Sequence, residues 1–301
     1  MSISGRLQAF LLTAFVLACA VYLAVRFWPR DRIQELVDQM PADSAVLAYV
    51  DVPRLAEAAA DASLVLPWSL GLTAHRVEGI SLALTGHELH VAAGGDFSAS
   101  LIDGLLSSQG IKCGASLAVA PCVANLGHGP VLLSMVSPGI LLATTASSLR
   151  VPNSSQIHAN EIRAAQGAGA VIWAAINPQL LDVAMDDPPP NWMNLQIIAR
   201  AVEPAHVAYL TVNVLTGESV SIRIEAHCDA ASREQLEQVL TGLNDMALAL
   251  LAREGTAAER WEPALRSFES SQGAETVRVQ WTLPIERLAE LWERTGSVGE
   301  R

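Results

Sequence analysis

Two stretches of this 301-residue chain open in the same way about 125 residues apart, and that repeat constrains the fold more than any other feature. Ala45-Val46-Leu47-Ala48-Tyr49-Val50 is a strand-like run that leads into Asp51, Val52, Pro53 and Leu55. Ala170-Val171-Ile172-Trp173-Ala174-Ala175-Ile176 leads likewise into Asn177, Pro178 and Leu180. Each pattern predicts a strand running into a helix, because a short polar residue suits a helix start and Pro suits its first turn. Leu84-Thr85-Gly86 recurs as Leu215-Thr216-Gly217, each triplet flanked by alternating apolar residues, which predicts a β-hairpin with Gly in the turn. Helices are expected next over Ser98 to Ser108 and Ser232 to Ala252, from the spacing of Leu101, Ile102, Leu105, Leu106 and of Leu236, Val239, Leu240, Leu243. Val131–Val136 with Ile140–Thr144, and Val277–Leu283, read as further strands, and Ile285 to Arg294 as a closing helix.

The element order in each copy is β-α-β-β-α-β. The fold class this predicts is α+β, with two tandem βαββαβ-like units whose sheets are largely antiparallel and carry helices on one face. The first unit is set at residues 41–150, a connector rich in turn residues at 151–168, the second unit at 169–296 and a tail at 297–301. Two such units can join edge to edge or face each other across a cleft, and the sequence leaves both open.

Residues Leu7 to Trp28 form a 22-residue, mostly apolar run whose single charge is Arg26. At ~1.5 Å per residue such a run reaches ~33 Å, so a single transmembrane helix is expected over 7–28 behind a short tail at 1–6. Arg26, Phe27 and Trp28 would sit at the membrane interface, where aromatic rings and a snorkelling Arg are favoured. A lipoprotein signal at Val16-Leu17-Ala18-Cys19 and a cleaved signal peptide compete with the anchor, but the apolar run continues past Cys19 to Trp28. A juxtamembrane amphipathic helix is expected within 29–40, with Ile33, Leu36, Val37 and Met40 on one face. Arg6 lies on one side of the run and Arg26, Arg30 and Arg32 at or past its other end, but a long C-terminal domain is translocated largely regardless of such charges. The expected location is therefore the inner membrane, single-pass, with the domain in the periplasm.

Composition narrows the function. An apolar share of 51%, a charged share of 17% and a mean hydropathy of +0.31 exclude a disordered chain. Four Cys exclude a dense disulfide scaffold. Beyond residue 32 there are 15 bases against 30 acids, so nucleic acid and anionic lipid are poor partners. There is no P-loop, no GxGxxG after a strand, no HExxH, no GxSxG and no CxxC. The best metal candidates are His87 and His90, but residues three apart do not share a strand face and no third ligand is identifiable, so a polar hairpin tip is the simpler reading. His206 and His227 are lone residues beside strand patterns. Cys113 and Cys122 can be bonded in an oxidising compartment or can be two buried thiols, with Cys228 in the core. Asp186-Asp187 precede a stiff Pro188-Pro189-Pro190 run and read as solvated acids.

Pro67-Trp68 and Pro190-Asn191-Trp192 follow the first helix of their copies. Trp68 and Trp192, with Pro188, Pro189 and Pro190, are candidate partner contacts; the other reading is that each Trp caps the core of its own unit.

Pro41-Ala42-Asp43, the strand to Val50, Asp51 through Leu55, and Gly95-Asp96-Phe97 resemble a group of bacterial membrane-anchored proteins of unknown function. The resemblance implies a single N-terminal anchor and the tandem α+β fold, and brings no catalytic residues or cofactors. Three functions are in competition. The first is a membrane-tethered, extracytoplasmic, non-enzymatic binding or scaffold protein, an accessory subunit of a membrane complex. The second is a module holding an apolar ligand between the two units. The third is an enzyme whose site no motif reveals.

Overall fold

The computed structural model describes residues 31–61, 77–86, 88–108, 110–125, 130–146, 156–184, 200–215, 219–251 and 256–284. The elements, in order, are α1 (Arg32–Val37), β1 (Val46–Asp51), α2 (Val52–Asp61), β2 (Val77–Thr85), β3 (Glu88–Gly95), α3 (Ala99–Ser108), β4 (Cys122–Asn125), β5 (Pro130–Ser137) and β6 (Ile140–Thr144). There follow α4 (Gln156–Gly167), β7 (Ala170–Ile176), α5 (Pro178–Ala184), β8 (Val207–Leu215), β9 (Ser219–His227), α6 (Arg233–Leu251), α7 (Thr256–Arg266), β10 (Glu269–Gln272) and β11 (Thr276–Pro284).

The two copies do open alike. Asp51 Oδ1 accepts from the Arg54 N–H at 3.2 Å at the start of α2. Asn177 Oδ1 accepts from the N–H groups of Gln179 (3.1 Å) and Leu180 (3.3 Å) at the start of α5. Both caps satisfy backbone donors that a helix start otherwise leaves unpaired. The β2–β3 hairpin turns through Gly86 at φ 56°, a conformation that favours glycine.

The architecture corrects the expected one. In place of two βαββαβ-like units, the described residues form one 11-stranded antiparallel sheet in the order β10-β11-β9-β8-β7-β1-β2-β3-β6-β5-β4, with helices packed on it, so that of the two arrangements left open the copies join edge to edge. The join is β1 against β7, with Val46 opposite Ile176, Ala48 opposite Ala174 and Val50 opposite Ile172. The physical reason is that β1 and β7 are apolar on both faces. Left as edges of separate sheets they would expose apolar side chains and a row of unpaired backbone groups, which their mutual pairing satisfies. Among the described residues no helix is long and apolar enough to cross a membrane. The anchor expected over 7–28, with Arg26, Phe27 and Trp28, lies outside the described residues.

Each face of the sheet has its own cover. On one face α1 and α4 place Leu36, Val37, Met40 and Ile162 over Leu47, Tyr49, Ala83, Ala92, Ile140, Leu142, Trp173 and Ala175. The segment expected at the membrane surface is thus part of the core: Leu36, Val37 and Met40 are all buried. Helix α4 lies within the stretch expected to link the units. Gln166 Nε2 donates to Asp51 Oδ2 (2.7 Å), and Arg54 Nη1 donates to the Gln166 carbonyl (2.7 Å), so α4 is tied to the β1–α2 junction. Gly79 lies beneath Tyr49, where a Cβ would meet the phenol oxygen at 2.6 Å, so no larger residue fits. On the opposite face α2 and α3 cover one part of the core and α5 and α6 another. Helix α7 and strands β4 and β10 were not anticipated; the expected helix over 285–294 lies outside the described residues.

Because the β1–β7 seam is continuous, the described body should unfold in one cooperative transition. Trp173 is 3% exposed at that seam, so Trp173→Ala should cost about 3–5 kcal/mol in a denaturant titration and keep the single transition. Two separated transitions would show that the halves are independent.

Candidate functional site

Helices α1 and α4 cover only the middle of their face. From Trp173 outward across β8, β9 and β11, the same face carries polar side chains in rows set by the strand register. Tyr209 is opposite Glu225, and Glu225 is opposite Arg278. Thr211 is opposite Arg223, which is opposite Gln280. Asn213 is opposite Ser221, which is opposite Thr282. The residues between them (Ala208, Leu210, Val212; Ile222, Ile224, Ala226; Val277, Val279) point to the helix-covered face.

The rows are bonded across the strands. Arg278 donates to Glu225 Oε2 from Nε (2.9 Å) and Nη2 (2.6 Å). Arg223 donates to Gln280 Oε1 from Nε (3.2 Å) and Nη2 (3.1 Å). His227 Nε2 lies 3.5 Å from Glu225 Oε1. Arg278 and His227 are 46% and 42% exposed at their side chains, so these contacts add little stability and leave their polar groups within reach of a partner.

An aromatic chain runs from the covered centre into this surface. Ring centroids are 5.9 Å apart between His158 and Trp173, 6.0 Å between Trp173 and Tyr209, and 5.4 Å between Tyr209 and His227, the last pair edge to face. Tyr209 donates to Glu161 Oε1 at 3.1 Å, and His158 Nδ1 lies 3.2 Å from Glu161 Oε2. Burial, followed by the negative charges of Glu161 and Glu225, pushes the Tyr209 phenol up to about 12. Burial, reinforced by Asp51, raises the Tyr49 phenol too.

The candidate contacts and ligands named from the sequence are not among the described side chains of these rows. Trp68, Trp192, Pro188, Pro189, Pro190 and His87 lie outside the described residues. His90 is buried in the sheet, its Nδ1 3.0 Å from Thr144 Oγ1 and its Nε2 3.8 Å from Glu88. Among the described residues no three His, Cys, Asp or Glu side chains gather as a metal site. A cleft of about 400 Å³ is lined by Arg54, Glu57, Gln166, Val171 and Val214, but its Arg54 is engaged in the α4 tie. Sequence reasoning missed the polar rows, although their signal was present: the residues alternating with Val212, Ile222, Ile224, Val277 and Val279 are polar at nearly every position.

Cys113 and Cys122 are joined by a disulfide with Cα atoms 5.2 Å apart, and Cys228 is a buried free thiol. The bond anchors β4 to the loop after α3. Asp103 holds the same loop, its Oδ2 accepting from Ser116 Oγ (2.6 Å) and its Oδ1 from the Leu117 N–H (3.1 Å).

No protein-family model matches the sequence, and no curated protein matches it. Solved structures of TP0453 share a distant likeness. Crystal form I is 9% identical, covers 86% of this chain and 97% of its own, and has a TM-score of 0.45. Crystal form III is 9% identical over 84% and 96%, with a TM-score of 0.46; form IV is 11% identical over 85% and 95%, with 0.43. At this level no activity or partner passes from one chain to the other.

Two measurements check this chemistry. The Tyr209 pKa is raised above its ordinary 10.0, so its contribution to stability is whole below pH ~10 and is lost as pH rises through about 12. Absorbance at the phenolate band should show a step near pH 12 that Tyr209→Phe removes, and the variant should lose less stability than wild type across that interval. Alkylation of unfolded, non-reduced protein should leave Cys113 and Cys122 unmodified, and the paired Cys→Ser variant should be less stable by about 2–3 kcal/mol.

Proposed function

We propose that this protein is a non-enzymatic binding or scaffold protein that works outside the cytoplasm and holds a protein partner on the part of its sheet face that none of the described helices covers. The observation that carries the reading is the set of polar rows across β8, β9 and β11, where Tyr209, Arg223, Glu225, His227, Arg278 and Gln280 stand on one face. Tyr and Arg are favoured at the centres of protein interfaces, and two Arg side chains held by partners across the strands are ordered before binding, which reduces the entropy lost on contact. The Cys113–Cys122 bond supports an oxidising compartment. An apolar ligand between the two units is disfavoured, because β1 and β7 are hydrogen-bonded neighbours packed on both faces.

The test is site-specific photo-crosslinking in cells. A crosslinker at Thr211 should give a discrete adduct, and one at Met246, exposed on α6 over the opposite face, should not. Arg223→Glu with Arg278→Glu should abolish the Thr211 adduct while the circular dichroism stays unchanged. Equal crosslinking from both positions, or an adduct indifferent to the two Arg changes, would sink the proposal.

A further inference from the structure

The two ends of the sheet differ in kind. The β10 edge reads Glu-Ser-Ser-Gln, every residue exposed, with Ser270 Oγ 2.9 Å from Glu237 Oε1 and Gln272 bonded to the same carboxylate. Charge and polarity at an edge strand are the usual protection against pairing with another chain. Among the described residues the β4 edge, Cys122–Asn125, carries no charged side chain. From Cys113 to Leu149 the sequence contains no Asp, Glu, Lys or Arg, so all 19 bases and all 31 acids of the chain lie elsewhere. Within that stretch Val119 is 82% exposed, Val123 67% and Val136 38%. Val123 stands on β4 itself, opposite Leu132 of β5. Val119 stands in the loop that the Cys113–Cys122 disulfide closes, between the buried Leu117 and the buried Cys122. These apolar side chains are therefore held out by a cross-linked loop and a paired strand.

We infer that the β4 edge is where this chain pairs with a second copy of itself, β4 against β4 antiparallel about a two-fold axis. Charge selects the occupant. A chain of net charge −12 repels its own copy over any acidic surface, and the stretch from Cys113 to Leu149, bordered at its loop by Asp103 and Lys112 of opposite sign, is where two such chains approach with least of that cost. Symmetry agrees, because an antiparallel pair of identical strands is self-complementary: each Val123 meets the same surface that it offers. The contact is short, four residues a strand plus the Val119 loop, so the dimer belongs to the weak, concentration-dependent class. The inference is independent of the partner surface on β8, β9 and β11, which lies towards the other end of the sheet.

Sedimentation of the full chain in a mild detergent, up to ~500 µM, measures the association. Wild type should move from monomer to dimer. Val123→Lys and, separately, Val119→Lys should each weaken the dimer about tenfold or more, with unchanged circular dichroism. Met246→Lys, at an exposed position on α6, should leave it unaltered. A monomer throughout the range, or a dimer indifferent to both Val changes, overturns the inference. So does a monomer that instead floats with phosphatidylcholine vesicles and loses them on Val123→Lys, since the occupant would then be a lipid surface.

Discussion

The backbone pairing of β1 with β7 is the interaction on which the rest of this structure depends. Those two strands lie at the centre of the 11-stranded sheet, and each pairs on its other side with the next strand of its own copy. Without the seam, Leu47, Tyr49, Trp173 and Ala175 would lose the shared surface on which α1 and α4 are packed. Small residues make the close pairing easy: Ala48 meets Ala174 at its middle, with larger Val and Ile to either side.

That seam also decides where a partner has room. Helix α4 crosses the middle of one face and is fixed there by Gln166, Asp51 and Arg54, so the cover stops at Trp173 and Tyr209. Beyond it the sheet continues as β8, β9 and β11 with polar side chains outward. Glu161 on the covering helix accepts from Tyr209 on the open strip, so the boundary between covered and open surface is itself a bonded contact. The aromatic chain from His158 to His227 joins the rigid centre to the exposed rows.

Much of the local structure was legible in the sequence. Asp51 with Pro53 and Asn177 with Pro178 marked two helix starts, because capping is decided within a single turn. Leu84-Thr85-Gly86 marked a hairpin whose glycine has positive φ. The spacing in 98–108 and 232–252 located α3 and α6 to within a residue at each end. Helix α7 escaped because Pro263 lies inside it and weakens the helical pattern. Strand β10 escaped because Glu269–Gln272 has no apolar residue to give a strand period.

By itself the sequence determined the alternation along each strand, the caps, the turns and the acidic, cysteine-poor character of the chain. These depend on neighbours within a few residues, which the order of residues states directly. Only the tertiary structure decided that the two copies share one sheet, that residues 32–40 and 156–167 cover its centre, and that Arg223 and Arg278 meet Gln280 and Glu225 between the neighbouring strands β9 and β11. Those facts depend on register between segments more than fifty residues apart, and a shift of one residue would send every one of those side chains to the other face. The polar alternation was written in the chain; which face it would occupy, and that α1 and α4 would stop short of it, was settled by the β1–β7 pairing.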